Sequence, residues 1–172
     1  MIRALLQLLG ILILIPAVAL GTLRFQNRDA DGPSILFPGG ELVSGELHNG
    51  PEPDWSFTRD IQTVELQLNE PLSSRLVWIL EAEGRIFIAS GYMGSFLGRL
   101  WKHWAIQADR GNGLAVVRID GIRYQRRLVR ITQGPILDSV AATMNEKYNA
   151  GTSRQDIEAG NTWIFELAPR QG

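Results

Sequence analysis

The sequence predicts a mainly β domain with two covering helices, preceded by one N-terminal helix apolar and long enough to cross a membrane. Three observations point to it: a nearly unbroken apolar run from Ala4 to Leu23, stretches beyond Thr63 that alternate apolar and polar residues and meet at tight turns, and two segments whose apolar residues recur at helical spacing. A chain of 172 residues has room for one domain plus an appendage. The expected division is residues 1–24 as anchor or signal segment, 25–53 as linker and 54–170 as the folded domain.

Within the apolar run, only Gln7 and Thr22 are polar, and Arg3 and Arg24 flank it. At about 1.5 Å rise per residue, residues 4–23 cover the roughly 30 Å hydrocarbon core of a bilayer. Pro16 removes one backbone hydrogen bond, which membrane helices tolerate better than soluble ones. The competing reading is a cleaved secretory signal, with Arg3 as its positive start and Ala17-Val18-Ala19 as a small-x-small cleavage site. Length favours the anchor, and a buried core helix is disfavoured because the run has no polar face. Arg3 opposes Arg24 and Arg28 across the span, and the short leading tail favours a domain on the non-cytoplasmic side.

The elements of the domain follow in order. Residues 26–55 are rich in Gly, Pro, Asp, Asn and Glu and read as an extended linker or irregular lead-in. Thr63 to Leu68 alternates Val64, Leu66 and Leu68 with polar residues, as a half-buried strand does. Leu76 to Ala82 and Arg85 to Ser90 form a hairpin through Glu83-Gly84. Ser95 to Ala108 predicts an amphipathic helix, with Phe96, Leu97, Leu100, Trp101, Trp104 and Ala105 as its apolar stripe and Arg99, Lys102 and His103 opposite. Leu114 to Ile119 and Ile122 to Ile131 form a second hairpin at Asp120-Gly121, a dipeptide suited to a type I′ turn. Pro135 to Asn149 predicts a helix that buries Ile136, Val140, Met144 and Tyr148 and stops at Gly151. Thr162 to Ala168 is the last strand, with Trp163, Phe165 and Leu167 on one face.

Composition removes several kinds of chemistry. The absence of cysteine excludes disulfides, thiolate nucleophiles and cysteine-ligated metals, and two histidines, His48 and His103, do not make a multi-histidine metal site. A formal charge of -1 gives no drive toward nucleic acid. No nucleophile elbow, phosphate loop, dinucleotide fingerprint or carboxylate dyad is present; Glu65 and Glu166 read as isolated strand positions. Arg99, Lys102 and His103, a helical turn apart, suit an anion but equally a solvated helix face. Trp101 and Trp104 read as core, and Arg123, Arg126, Arg127 and Arg130, two on each face of one strand, read as solvated cations or lipid-headgroup contacts.

The order strand, hairpin, helix, hairpin, helix, strand resembles the flavin-binding split β-barrel proteins related to pyridoxamine 5′-phosphate oxidase, including deazaflavin-dependent relatives. The stretches that carry the resemblance are Asp54 to Phe57, Arg75 to Trp78, Gly84 to Ser90, Trp101 to Trp104, Val116 to Tyr124 and Trp163 to Arg170. The resemblance implies a six-stranded split barrel, usually a homodimer, with FMN or a deazaflavin between subunits and hydride transfer as the reaction. It assigns the cofactor phosphate to Arg75, Ser90, Arg99 and Lys102, and no catalytic side chain. Gly91 to Phe96 lacks the cations that the family carries there. A second reading therefore stays open: a non-enzymatic ligand-binding or assembly module on the same scaffold that has lost its flavin. A haem-binding variant would have His103 as the one histidine ligand in the domain.

Overall fold

Period-two alternation in the strands closes a barrel with two differently furnished faces. The computed structural model describes residues 2–170. In chain order it contains α1 (Ile2–Asn27), β1 (Glu46–Leu47), a 3-10 turn (Trp55–Asp60), β2 (Thr63–Asn69), β3 (Leu72–Ala82), β4 (Arg85–Ser90), α2 (Phe96–Trp101), α3 (His103–Arg110), β5 (Leu114–Ile119), β6 (Ile122–Ile131), α4 (Ile136–Tyr148), α5 (Arg154–Glu158) and β7 (Trp163–Pro169). Strands β2, β3, β4, β7, β6 and β5 pair antiparallel in that cyclic order, so six strands close on themselves. The extra strand β1 lies parallel to the start of β6.

Alternation decides which residues fill the barrel. Leu66, Leu68, Val77, Ile79, Ile88 and Phe165 belong to the interior cluster, whereas Leu80, Phe87 and Ile164, one position out of phase, face outward under α4. That helix supplies Ile136, Leu137, Val140 and Met144 to a second core over β3, β4 and β7. Each such side chain removed from water is worth about 1.5–3 kcal/mol. Both hairpin turns have positive φ at the two central residues, 54° and 74° at Glu83-Gly84 and 48° and 77° at Asp120-Gly121, which is the type I′ conformation that follows strand twist. The left-handed residue that stops α4 is Asn149 (φ 51°), two positions before the expected Gly151.

Strand β3 is longer than its sequence pattern indicates, and its two halves differ. β2 pairs with Leu72 to Trp78, while β4 pairs only with Ile79 to Ala82. Along the first half, the edge turned away from β2 is bridged at Ser74 by Gly39 through two backbone hydrogen bonds of 2.9 and 2.8 Å. Beyond the end of β2, the Tyr148 hydroxyl accepts from the Ile79 N–H at 3.1 Å and lies 2.7 Å from the Ile79 and Gln62 carbonyls.

The lead-in at residues 28–53 lies on the barrel as a strap. Leu42 is buried, its N–H donating to the Gln67 side chain at 2.7 Å. Arg118 on β5 donates to Asp31 (2.8 Å), to Ser44 and to Glu65, so Glu65 is not isolated; Glu166 likewise pairs with Arg85 at 3.3 Å. One expected surface cation is a core residue. Arg126 is buried, binds both Glu52 carboxylate oxygens at 2.9 and 2.8 Å, and lies over the Trp55 ring. It points inward because it shares strand parity with Tyr124 and Leu128.

Helix α1 is exposed from Gln7 to Gln26, and residues 7–27 make one helix long and apolar enough to cross a membrane.

Candidate functional site

The barrel end beyond β4 carries the site, and its construction starts with a helix that breaks. Ser95 caps α2, its hydroxyl accepting from the Gly98 N–H at 2.9 Å. Lys102 (φ -93°, ψ 32°) then separates α2 from α3, so the expected single helix is two. The break divides the apolar stripe. Trp104, Ala105 and Ala108 on α3 plug the barrel, whereas Phe96, Leu97, Leu100 and Trp101 on α2 point to solvent. Trp101 is therefore not a core residue: it is 85% exposed. None of the residues of α2 is buried, so helical spacing alone does not bury its stripe.

Arg75 projects inward with Val77 and Ile79 and stops beside the Trp104 ring, 5.8 Å from its centroid. Its Nη2 donates to Ser73 Oγ at 2.8 Å, and its buried Nε has no acceptor. Burial pushes the guanidinium down to about 10, leaving it charged at neutral pH. Lys102 is also half-buried; burial first, and then repulsion from Arg75, pull its ammonium below the ordinary lysine value. Among the described residues neither cation has a carboxylate partner. Two desolvated like charges without a counterion form a destabilised pair that an anion would relieve.

Ser90 and Arg99 meet elsewhere at the same end, around Met93. The buried Ser90 hydroxyl donates to Met93 Sδ at 3.4 Å, and Arg99 donates to the Met93 carbonyl at 3.3 Å from an exposed position. The structure thus sets Arg75 near enough for its charge to act on Lys102, and brings Ser90 and Arg99 to one methionine. His103 follows Lys102 at the start of α3 and is exposed.

Two adjoining clefts open here and share Tyr92 and Ser95. The larger, about 570 Å³, is bounded by Trp78, Tyr148, Asn161 and Thr162; the smaller, about 460 Å³, by Leu97, Gly98, Trp101 and Lys102. Trp78 and Tyr148 stack face to face, 4.4 Å between centroids and 3° from parallel. Burial pushes the Tyr148 hydroxyl up to about 12. Tyr92, at φ 63°, is exposed between the two lobes, and its carbonyl accepts from Ser95 Oγ at 3.0 Å. Gly98 makes this possible: a Cβ there would stand 1.8 Å from the Tyr92 carbonyl oxygen. Sequence reasoning missed Tyr92, Trp78 and Tyr148 as site residues. The available signal was Gly91-Tyr92-Met93-Gly94, a turn-forming stretch with an aromatic residue at its tip.

A groove with aromatic walls and a cation at one end can hold a flat ring and an anionic tail. Among the described residues that line it there is no paired acid and base and no nucleophile beside a base.

No protein-family model matches the chain. No curated protein matches it either. Among solved structures, it is similar to the conserved hypothetical protein Rv2991 from Mycobacterium tuberculosis, with 12% identity over 67% of this chain and 77% of that chain and a TM-score of 0.48.

Proposed function

We propose that this chain is a membrane-tethered split barrel that binds a phosphate-bearing planar cofactor, FMN or a deazaflavin, and serves hydride transfer to or from a small or lipid-soluble substrate. The observation that carries the reading is the pair Arg75 and Lys102: partly desolvated, mutually repelling, and without a carboxylate among the described residues. A phosphate in the smaller cleft suits the pair by charge: it would meet Lys102, which lines that cleft, and feel Arg75 behind it. When bound, the flavin supplies the two-electron chemistry. The protein's own residues do the rest. Lys102, with Arg75 behind it, holds the anionic end; Tyr92 and Trp101 offer apolar faces to a ring; and Gly98 keeps the Tyr92 turn against α2. Helix α1 tethers the barrel to the bilayer through residues 4–23 and the segment that follows.

The test is the absorption spectrum of the full-length protein purified in mild detergent, followed by heat release of the chromophore and titration with FMN. Stoichiometric flavin, retained by the wild type and lost from a folded Arg75→Ala/Lys102→Ala variant, supports the reading. A colourless protein whose melting temperature ignores added FMN and deazaflavin sinks it, and leaves a binding or assembly module without flavin.

A further inference from the structure

The larger cleft has a construction of its own. Strands β3 and β4 part above the pair Ile79 and Ile88, where Ala89 and Ser90 keep their pairing to Ile164 and Trp163 of β7. The cleft of about 570 Å³ opens there, bordered by Trp78, Ala89 and the buried Met144 of α4. We propose that it is a ligand site in its own right, and that it takes an uncharged planar ring with hydrogen-bonding groups on its rim. As the place of the substrate beside a flavin, it rests on the reading given above; as a binding site, it does not.

Two hydroxyls carry the inference. Thr152 and Thr162 border the cleft at only 8% and 7% exposure, and among the described residues both hydrogen-bond through the backbone alone. Thr152 uses its N–H and carbonyl, each 2.8 Å from the Asn145 side-chain amide, and Thr162 its N–H, 3.2 Å from the Asp156 carbonyl. Neither hydroxyl is sealed in without a partner as that of Ser74 is, so both meet the contents of the cleft. A buried hydroxyl left dry costs free energy, and a polar rim on a ligand satisfies the two together.

Charge and shape narrow the ligand. The residues bordering the cleft include one carboxylate, Asp156, and no lysine, arginine or histidine. An anion would leave water for a place with a like charge and no cation, whereas the smaller cleft holds Lys102. Trp78, kept flat by the stacked Tyr148 ring and still 44% exposed, offers an indole to a planar partner. The walls are set before any ligand arrives. The Asn161 carbonyl accepts from the Met93 N–H at 2.8 Å, and a Cβ at Gly94 would stand 2.2 Å from Asn161 Oδ1, so the Tyr92 turn is locked to the loop before β7. Tyr92 and Asn149, both bordering the cleft, hold left-handed backbone (φ 63° and 51°), a strain that collects at ligand sites. Tyr92 borders the smaller cleft too, so rings in the two clefts would share it as a wall.

With five tryptophans in the chain, occupancy can be read at Trp78 itself. Full-length protein labelled with 15N-tryptophan, in mild detergent, is titrated with indole-3-carboxamide and with indole-3-carboxylate, which share a shape and differ in charge; Trp78→Phe and Trp101→Phe assign the two indole N–H signals. We expect the carboxamide to move the Trp78 signal saturably and the carboxylate to bind more weakly by roughly tenfold or more. Thr152→Val/Thr162→Val keeps the volume and deletes both hydroxyls. It should weaken carboxamide binding by about tenfold or more while the melting temperature holds or rises, because no protein partner is lost. A Trp78 signal that ignores the carboxamide, equal affinity for the two compounds, a double valine variant that binds like the wild type, or movement of Trp101 alone overturns the proposal. Titration with FMN separates this site from the flavin reading. Carboxamide binding at Trp78 in a protein whose Trp101 signal ignores FMN supports the site and removes only its role beside a flavin; FMN binding at Trp101 with no carboxamide response at Trp78 keeps the flavin and overturns the site.

Discussion

At the scale of single residues, the informative feature is charge held away from water without a partner. Lys102 has its pKa lowered by burial and by Arg75, so in the folded chain the neutral amine is favoured relative to the unfolded chain. Protonation therefore destabilises the free protein, whose stability should rise as pH climbs through the lowered Lys102 value toward the ordinary 10.5. An anion reverses the sign, because it favours the protonated form. The gain in melting temperature from pyrophosphate or FMN is expected to be greatest near neutral pH and to shrink as Lys102 deprotonates. A charged hydrogen bond of this kind is worth about 1.5–3 kcal/mol, so Lys102→Gln should weaken anion binding by roughly tenfold or more. Thermal-shift titrations across pH check both statements; an anion gain that is the same at every pH and unchanged in Lys102→Gln would remove the cation pair from the site.

Helices α2 and α4 show at the scale of elements what separates a buried face from an exposed one. α4 carries apolar residues at helical spacing, and these are buried because β3, β4 and β7 present Leu80, Phe87 and Ile164 to them. Leu137 is fully buried there, and Leu137→Ala should lower the unfolding free energy by about 2–5 kcal/mol in denaturant titration without altering the groove. α2 has equally regular spacing, yet none of its residues is buried. Its position depends instead on Gly98, where any side chain meets the Tyr92 carbonyl. Gly98→Ala is expected to push α2 off the Tyr92 turn and reduce ligand binding by tenfold or more, on the order of 1.4 kcal/mol, while the melting temperature of the free barrel changes little. Equal binding in Gly98→Ala would show that the smaller cleft is not the site.

Over the whole molecule, the strap decides how the N-terminal helix and the barrel are connected. Asp31 accepts from the Val43 and Ser44 N–H groups at 2.8 and 3.0 Å and from Arg118 at 2.8 Å, and together with the Ser44 hydroxyl these donors hold its carboxyl well below the usual carboxylate range. The linkage has the sign of a depressed acid. Its contribution is fully present above the unfolded value near 3.8 and is lost as pH falls toward the depressed folded value. Strap release, read by limited proteolysis with an acid-active protease at low pH and a neutral-active one at neutral pH, should therefore begin below pH 3.8 in the wild type and occur already at neutral pH in Asp31→Ala. A strap that resists cleavage in Asp31→Ala would place its attachment in Leu42 and the Gly39–Ser74 bridge instead.

What the sequence determined by itself was written in local period and turn chemistry: the apolar N-terminal helix, both hairpins with the type I′ turn at Asp120-Gly121, the inward residues Val64, Leu66 and Leu68 of β2 and Phe165 and Leu167 of β7, and the buried face of α4. These need only neighbours a few residues away. Arg75, Ser90, Arg99 and Lys102 were assigned through resemblance, and nothing local says that Arg75 and Lys102 are each partly buried while Ser90 and Arg99 turn to Met93. The tertiary structure alone decided that Arg126 is a core cation over Trp55, that Asp31 and Arg118 meet across 87 residues, and that one half of an amphipathic stripe is buried and the other exposed. Burial depends on what stands opposite a residue, and for α2, the strap and the cation pair the opposing surfaces come from distant parts of the chain.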